Sequence, residues 1–382
     1  MAPEFYLPTQ IVTGRGCLGQ VGKLSARYGE RVLLVCGLQT ARRREVVQKV
    51  TDLLRSAGLQ VELFDGVSGE ADLDMVAAGL ASLRQHTCSV VVGLGGGSAM
   101  DTAKSIAGLA TLEGDIYEYH AGRLPEKPGL PFIAIPTTAG TGAEVTKNAV
   151  LINPRTQFKQ SIRGDDWFAR VALVDPELTL TMSPELTAST GSDALCQAIE
   201  AYTSIAATAI TDALAEKAIL LIGQSLLQAY EHGDDLSARE GMSLGSLLAG
   251  MAMSNARLGA VHGLAHPLGA HYHIPHGIVC GLLLPYTIDY NLTYALGKYA
   301  RVARFFGCDS PTMNEQQLAT RAVEYVRQLL NRVGIPGHLT SFGVRYEDLQ
   351  QIINEALPSG STKHNVRPLD GEDLLRIIVS AL

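Results

Sequence analysis

The chain predicts an α/β N-terminal domain, built on a parallel sheet with helices on both faces, followed by an all-α C-terminal domain. Three observations predict it. Apolar, β-branched runs alternate with helical runs up to about residue 175. Strand signals fade after DPEL at 175–178. The 382 residues, 46% of them hydrophobic, suffice for two ordinary domains with substantial cores. The boundary falls near residue 180, giving domains 1–180 and 181–382.

The elements follow in order. RVLLVCG (31–37) is a short β-branched strand, and ARRREVVQKVTDLLRSAG (41–58) has helical periodicity ending at Gly58. VELFDG (61–66) is a second strand, and ADLDMVAAGLASLRQHT (71–87) a second helix. SVVVGLGGGS (89–98) is a strand running into glycines, and AMDTAKSIAGLAT continues as a helix. PFIAIPTTAGTGAEVT gives a further strand and a second Gly/Thr-rich turn. Beyond residue 180, TMSPELTASTGSDALCQAIEAYTS, TDALAEKAILLIGQSLLQAY and ARLGAVHGLAHPLGAHY read as helices, and EDLLRIIVSAL closes the chain as another.

Composition narrows the partners. The formal charge is -7, and Arg42–Arg44 is too short a basic run for nucleic acid or an anionic membrane surface. No stretch approaches the ~18 apolar residues of a membrane span. The start, MAPEFYLPTQIVTG, lacks the apolar core of a signal peptide, and six cysteines are scattered without a CxxC. A cytoplasmic protein with reduced thiols is expected. Cys196 reads as a small buried hydrophobe beside the candidate ligand helix.

GLGGGSAMDTAK (93–104) follows a strand and opens a helix. Its glycines admit a pyrophosphate to the backbone, the helix N-terminus offers free N–H groups, and Ser98 can donate to a phosphate oxygen. The alternative is a glycine-rich turn without a ligand. The spacing is not GxGxxG. Asp101 and Lys104 read either as part of this site or as a helix-surface i,i+3 ion pair. PTTAGTGAEVT (136–146) is a second polar turn at a strand end, where α/β sheets bind ligands. Gly37 ends the first strong strand where dinucleotide sites often carry an acid for the ribose. Its absence, with Arg42 and Arg43 nearby, favours NADP or tolerance of it over strict NAD. The alternative is that the arginines are a solvated helix start.

The richest signal lies between residues 193 and 276. Asp193 opens GSDALCQAIEAY, and His262, His266 and His276 stand in VHGLAHPLGAHYHIPHG. Residues four apart share a helix face, so Asp193 faces the same way as Gln197, and His262 as His266. A carboxylate with two imidazoles suits Fe2+, Zn2+ or Mn2+ with open positions for a substrate oxygen. Each histidine taken alone is more often structural. Gly263, Gly269 and Gly277 allow close packing around a ligand, and His271 and His273 are expected nearby without a role.

Together GGGSAMDTAK, PTTAGTGAEVT, VDPEL, GSDALCQAIEAY and VHGLAHPLGAHYHIPHG resemble the iron-containing (group III) alcohol dehydrogenases, in order and over nearly the whole chain. The resemblance implies a dinucleotide-binding domain, a helical metal domain and an active site in the cleft between them. It implies a homodimer formed through N-terminal strands, here within EFYLPTQIVTG. Ser98 matches the alcohol dehydrogenase branch, where a lysine would match the glycerol dehydrogenase branch. By the same resemblance Gly95, Gly96, Gly97 and Ser98 contact the pyrophosphate; Gly37 at its strand end and Asp101 are further candidates for the cofactor site. Thr137, Thr138, Thr141 and Leu178 line the adenine and nicotinamide ends, and Asn148, Val150 and Met253 the substrate pocket. Asp193, His262 and His276 map onto metal ligands, and His266 onto a second histidine near the nicotinamide.

Gln197 falls on the fourth ligand position, where the pattern has histidine. Three outcomes stay open. Its amide oxygen ligates, shifting the site toward harder metals or lower affinity. Alternatively a water or His266 fills the gap. In the third case no metal binds, Gln197 contacts substrate, and a histidine acts as general acid. The expected function is reversible hydride transfer between NAD or NADP and a small primary alcohol or aldehyde, assisted by Fe2+ or another divalent metal, with His266 relaying the proton. The alternatives are a metal-independent reductase of an oxo or unsaturated acid, like the maleylacetate reductases, and a degenerate nucleotide-binding scaffold. Lys363, His364 and Arg367 in SGSTKHNVRP (359–368) either favour an anionic aldehyde or form a solvated loop.

Overall fold

The computed structural model describes residues 4–41, 44–156 and 158–382. They form two compact units, one of residues 7–138 and 142–179, the other of residues 4–6, 139–141 and 180–382.

The first unit holds every strand among the described residues: β1 (Gln10–Thr13), β2 (Arg31–Gly37), β3 (Gln60–Val67), β4 (Val90–Gly95), β5 (Phe132–Pro136), β6 (Asn148–Asn153), β7 (Phe158–Arg163) and β8 (Val171–Val174). Six make one sheet in the order β1-β8-β5-β4-β2-β3, every pairing parallel. β4 is buried along its whole length, as VVVGLG requires of a central strand covered on both faces. The covering helices are α1 (Val21–Ser25), α2 (Leu38–Ala41), α3 (Arg44–Ser56), α4 (Leu73–Gln85), α5 (Gly97–Leu109) and α6 (Ile116–His120). Val50 and Leu54 of α3 pack on one face, while Val76 of α4 and Ile106 of α5 pack on the other. α4 starts where it does because the Asp72 carboxylate accepts from Met75 N at 2.7 Å. Sequence periodicity predicts a helix over 41–58, and α3 ends within it at Ser56, just before Gly58 turns at φ 85°. The antiparallel pair β6–β7 has no counterpart among the sequence expectations, because its residues are mixed in polarity and half-buried.

The parallel register aligns the carboxyl ends of three neighbouring strands. Cys36 pairs with Leu94, and Gly95 with Pro136. Gly37, the Gly95–Ser98 turn and Thr137–Thr138 therefore lie side by side at the carboxyl end of the sheet.

The second unit is helical: α7 (Pro184–Thr203), α8 (Ala209–Glu231), α9 (Leu236–Ala256), α10 (Ala260–Tyr272), α11 (His276–Asn291), α12 (Leu296–Phe305), α13 (Glu315–Arg332), α14 (Leu349–Ala356) and α15 (Gly371–Ser380). Caps set the starts of the long helices. Ser183 caps α7 ahead of Pro184, Thr208 closes a capping box on α8, and Asp235 accepts from two backbone amides of α9. α7 is buried on all sides from Gly191 to Thr203, so it is the central rod of this unit. Among the described residues no helix is long and apolar enough to cross a membrane.

Candidate functional site

At the carboxyl end of the sheet, Gly95 ends β4 at φ 153°, where a side chain would be strained and would press on Ala99. Gly96 caps α5 without any side-chain hydrogen bond, leaving the first amides of α5 without a side-chain partner at the cap. A methyl at Gly96 would sit 3.3 Å from Thr138, so the two turns touch. Thr137 N donates to Gly95 O at 2.9 Å and locks them together. Thr40, buried beside Gly95, belongs to the same cluster and carried no sequence signal. Backbone amides and hydroxyls grouped in this way can cradle an anion. Thr141 groups with the helical unit, and Leu178 is buried in the apolar core under the sheet.

Asp101 and Lys104 correct the surface-pair alternative. Lys104 is fully buried, and its ammonium donates to Ala143 O at 2.8 Å, Thr146 Oγ1 at 2.9 Å and Asn148 O at 2.7 Å. Burial lowers its pKa from 10.5 to about 8, against the attraction of Asp101 and Glu144. Asp101 Oδ2 accepts from Val150 N at 3.0 Å. The pair thus fixes the second turn and β6 onto α5, with Asn148 and Val150 on one half-exposed face of β6. Arg42 and Arg43 lie outside the described residues.

In the helical unit, Asp193 of α7, His262 of α10 and His276 at the start of α11 converge. Asp193 Oδ1 is 3.3 Å from His262 Nε2 and 3.7 Å from His276 Nε2. Asp193 and His262 are buried, and the His276 side chain is 28% exposed. Close approach of neighbouring segments makes this possible: a methyl at Gly277 would overlap the carbonyl of Ser189 in α7, and one at Gly263 would overlap Thr362. The turn at 359–368 therefore packs on α10 beside His262. Asn365 Oδ1 accepts from Ala260 N at 3.3 Å, in the first turn of α10.

Two residues absent from the expected set complete the cluster. Glu200, two helical turns after Asp193, accepts from His262 Nδ1 at 2.6 Å and from Val261 N at 2.7 Å. It caps α10 and fixes the imidazole so that Nε2 faces Asp193. Cys280, one turn after His276, puts Sγ 3.5 Å from His276 Nε2 and 3.8 Å from His262 Nε2. Both were legible as face-sharing positions on helices already carrying a candidate ligand. Burial opposes ionisation of Cys280, but a hydrogen bond from Cys196 and the neighbouring His276 and His262 outweigh it, so its thiol lies well below the ordinary range. Burial also opposes protonation of His262, yet Cys280, Asp193 and Glu200 hold its pKa well above the usual histidine value. The cluster gathers negative charge around two imidazoles, an arrangement a divalent cation satisfies.

Gln197 stands on the same face of α7 as Asp193 and is buried. Among the described residues its Oε1 has no hydrogen-bond partner. A buried acceptor without a donor is costly, and a cation or a hydroxyl beside it removes the cost. That orphaned oxygen, the two converging Nε2 atoms and the Glu200 brace fit a metal centre.

His266, one turn after His262, is half-buried and stacks on His276 with ring centroids 5.3 Å apart. His271 and His273 do not join the cluster. His271 pairs with Glu355 at 2.8 Å, and His273 ends α10 in the left-handed conformation at φ 54°. Met253 is partly buried in α9. His364 Nδ1 lies 2.6 Å from Gly360 O, within its own turn. Arg367 lies over the rings of Tyr290 and Tyr294 and 3.5 Å from Asp373, so its charge is committed within the fold.

The chain is similar to known proteins over its whole length. Residues 8–176 match the family described as iron-containing alcohol dehydrogenase, and residues 187–382 match the C-terminal region of the Fe-containing alcohol dehydrogenase family. A 1,3-propanediol dehydrogenase of Klebsiella pneumoniae is 38% identical over 381 residues, 99% of this chain and 98% of the relative. A lactaldehyde reductase of Escherichia coli (strain K12) is 37% identical over 383 residues, 100% of each. The crystal structure of a 1,3-propanediol oxidoreductase superposes with a TM-score of 0.96 at 38% identity, covering 100% of each chain.

Proposed function

The chain belongs to the iron-containing alcohol dehydrogenase family, and from that premise we propose which of its own residues serve the reaction. It is a nicotinamide-dependent oxidoreductase of the alcohol dehydrogenase and aldehyde reductase type. The observation that carries the site assignment is the convergence of Asp193 Oδ1, His262 Nε2 and His276 Nε2 beside the unpartnered Gln197 Oε1. Asp193, His262 and His276 would hold a divalent metal, which when bound polarises the substrate oxygen and stabilises its negative charge. Glu200 keeps His262 in the tautomer that presents Nε2. His266 takes or returns the proton of the alcohol, being one turn from His262 and stacked on His276.

The glycine turn and Ser98 hold the pyrophosphate of the dinucleotide, with Thr137 and Thr138 beside them at its adenine and nicotinamide ends. Gly37 leaves no carboxylate to repel a 2′-phosphate, which supports NADP alongside NAD; a kcat/KM far higher with NADH than with NADPH would count against it. Small neutral alcohols such as 1,3-propanediol, and aldehydes such as lactaldehyde, are the substrates that the relatives' activities suggest. The commitment of Arg367 to Asp373 and two tyrosines argues for neutral substrates over anionic ones. A homodimer through the open edge of β1, in a reducing cytoplasm, is the assembly and compartment that fit the six unpaired cysteines and the N-terminal edge strand. Light scattering that returned a monomer mass would refute the dimer.

The deciding experiment measures metal content and aldehyde reduction before and after chelation, in wild type and Gln197→His. Wild type is expected to lose at least about 100-fold in turnover on chelation and to regain it when metal is restored, since charge stabilisation of this kind supplies several kcal/mol. Gln197→His is expected to retain metal more tightly. Full activity of a metal-free wild type would overturn the metal-assisted reading in favour of the metal-independent reductase.

A further inference from the structure

We propose that Cys280 is a direct ligand of this metal centre, replacing the donor that Gln197 no longer supplies, and that the resulting Asp193–His262–His276–Cys280 set prefers zinc to iron. This rests on the metal-assisted reading above and concerns the same centre. One ligand atom from each of the four residues lies within 4.8 Å of all the others. Four of the six edges are 3.3 and 3.7 Å for Asp193 oxygen to the two imidazole nitrogens, and 3.5 and 3.8 Å for Cys280 sulfur to the same nitrogens. Bonds of about 2.0–2.3 Å to a tetrahedral zinc give oxygen–nitrogen edges of roughly 3.3–3.4 Å and sulfur–nitrogen edges of roughly 3.5–3.6 Å. These four edges are those of a slightly expanded zinc polyhedron, which small side-chain movements would close.

A histidine four residues after Asp193 would bring the fourth ligand from α7. This chain carries glutamine there and a cysteine four residues after His276, so the fourth donor comes from α11 instead. A thiolate is softer than the imidazole it replaces, and one sulfur with two imidazoles and a carboxylate is a donor set that zinc takes readily. Cys196 is not part of it. Its sulfur faces His262 Nδ1 at 3.8 Å, the nitrogen already committed to Glu200. Gln197 is left one turn from Asp193 as a hydrogen-bond acceptor for a substrate hydroxyl.

The test is cobalt loading of the full-length protein under reducing conditions, read by absorption and by metal stoichiometry. Wild type is expected to bind one Co2+ per chain with a sulfur-to-cobalt charge-transfer band in the near ultraviolet. Cys280→Ser is expected to lose the band and to bind zinc more weakly by at least about 10–100-fold, the range that loss of a merely supporting partner already costs. Cys196→Ser is expected to keep the band. One bound cobalt in wild type without the band, or a band that survives in Cys280→Ser, overturns the ligand assignment while leaving the metal reading intact. Wild type that binds no more cobalt than Asp193→Asn overturns the metal reading itself. In competition at equal free concentrations wild type is expected to take zinc, and an iron-loaded product refutes the preference.

Discussion

His262 has both ring nitrogens committed, and this sets the chemistry of its neighbours. Nε2 faces Asp193 at 3.3 Å while Nδ1 is held by Glu200 at 2.6 Å. Glu200→Gln offers an amide in place of the carboxylate, so the imidazole is less basic and less firmly oriented. Its metal affinity is expected to fall about 10–100-fold with an unchanged fold, measured by competition with a chromophoric chelator. An unaltered affinity would show that Glu200 serves only to cap α10. His266→Ala is expected to lower turnover by about 10²–10⁴-fold while dinucleotide and metal still bind, the span usual for a proton-transfer group. Wild-type rates in that variant would end its assigned role. Asp193, His262, His266 and His276 were legible because chemically distinctive residues recur at helical spacing. Glu200 and Cys280 were as well placed on their helices, but glutamates and cysteines have so many structural uses that spacing alone did not single them out.

Among the elements, α5 links the two Gly/Thr turns through one buried lysine. The Lys104 ammonium is desolvated, with Asp101 and Glu144 as its charged neighbours and three oxygens as acceptors. Its pKa of about 8 in the folded chain lies below the 10.5 of the free side chain, so folding costs stability wherever the lysine stays charged. That cost is fully present below pH 8 and is relieved between about pH 8 and 10.5, where the unfolded chain still binds the proton that the folded chain has lost. Relative to Lys104→Met, wild type is expected to gain stability across this window, by roughly 3 kcal/mol at most, in urea melts at stepped pH. A parallel pH dependence of the two proteins would show that the ammonium is not desolvated. The strands β2, β4 and β5 were readable from their β-branched runs and glycine or proline ends. The β6–β7 hairpin was not, because it gains its place from Lys104 and Asp101 rather than from its own pattern.

For the molecule as a whole, every proposed protein donor to the metal comes from the helical unit, from α7, α10 and α11. Metal at about 1,000 times its dissociation constant stabilises the folded state by roughly 4 kcal/mol. Chelation is therefore expected to lower the melting temperature of the helical unit by on the order of 8–16 °C, at about 2–4 °C per kcal/mol, in calorimetry with and without chelator. A shift confined to the α/β unit would place the metal elsewhere. By itself the sequence determined the two-part α/β and all-helical organisation, the glycine turn at a strand end and the family, because hydrophobic period and residue spacing along one strand or helix are local properties. Only the tertiary structure decided which donors meet. Spacing along α11 puts Cys280 on the face of His276, but only when Gly277 lets α11 close on α7 does the sulfur also reach His262, a contact fixed by helix packing.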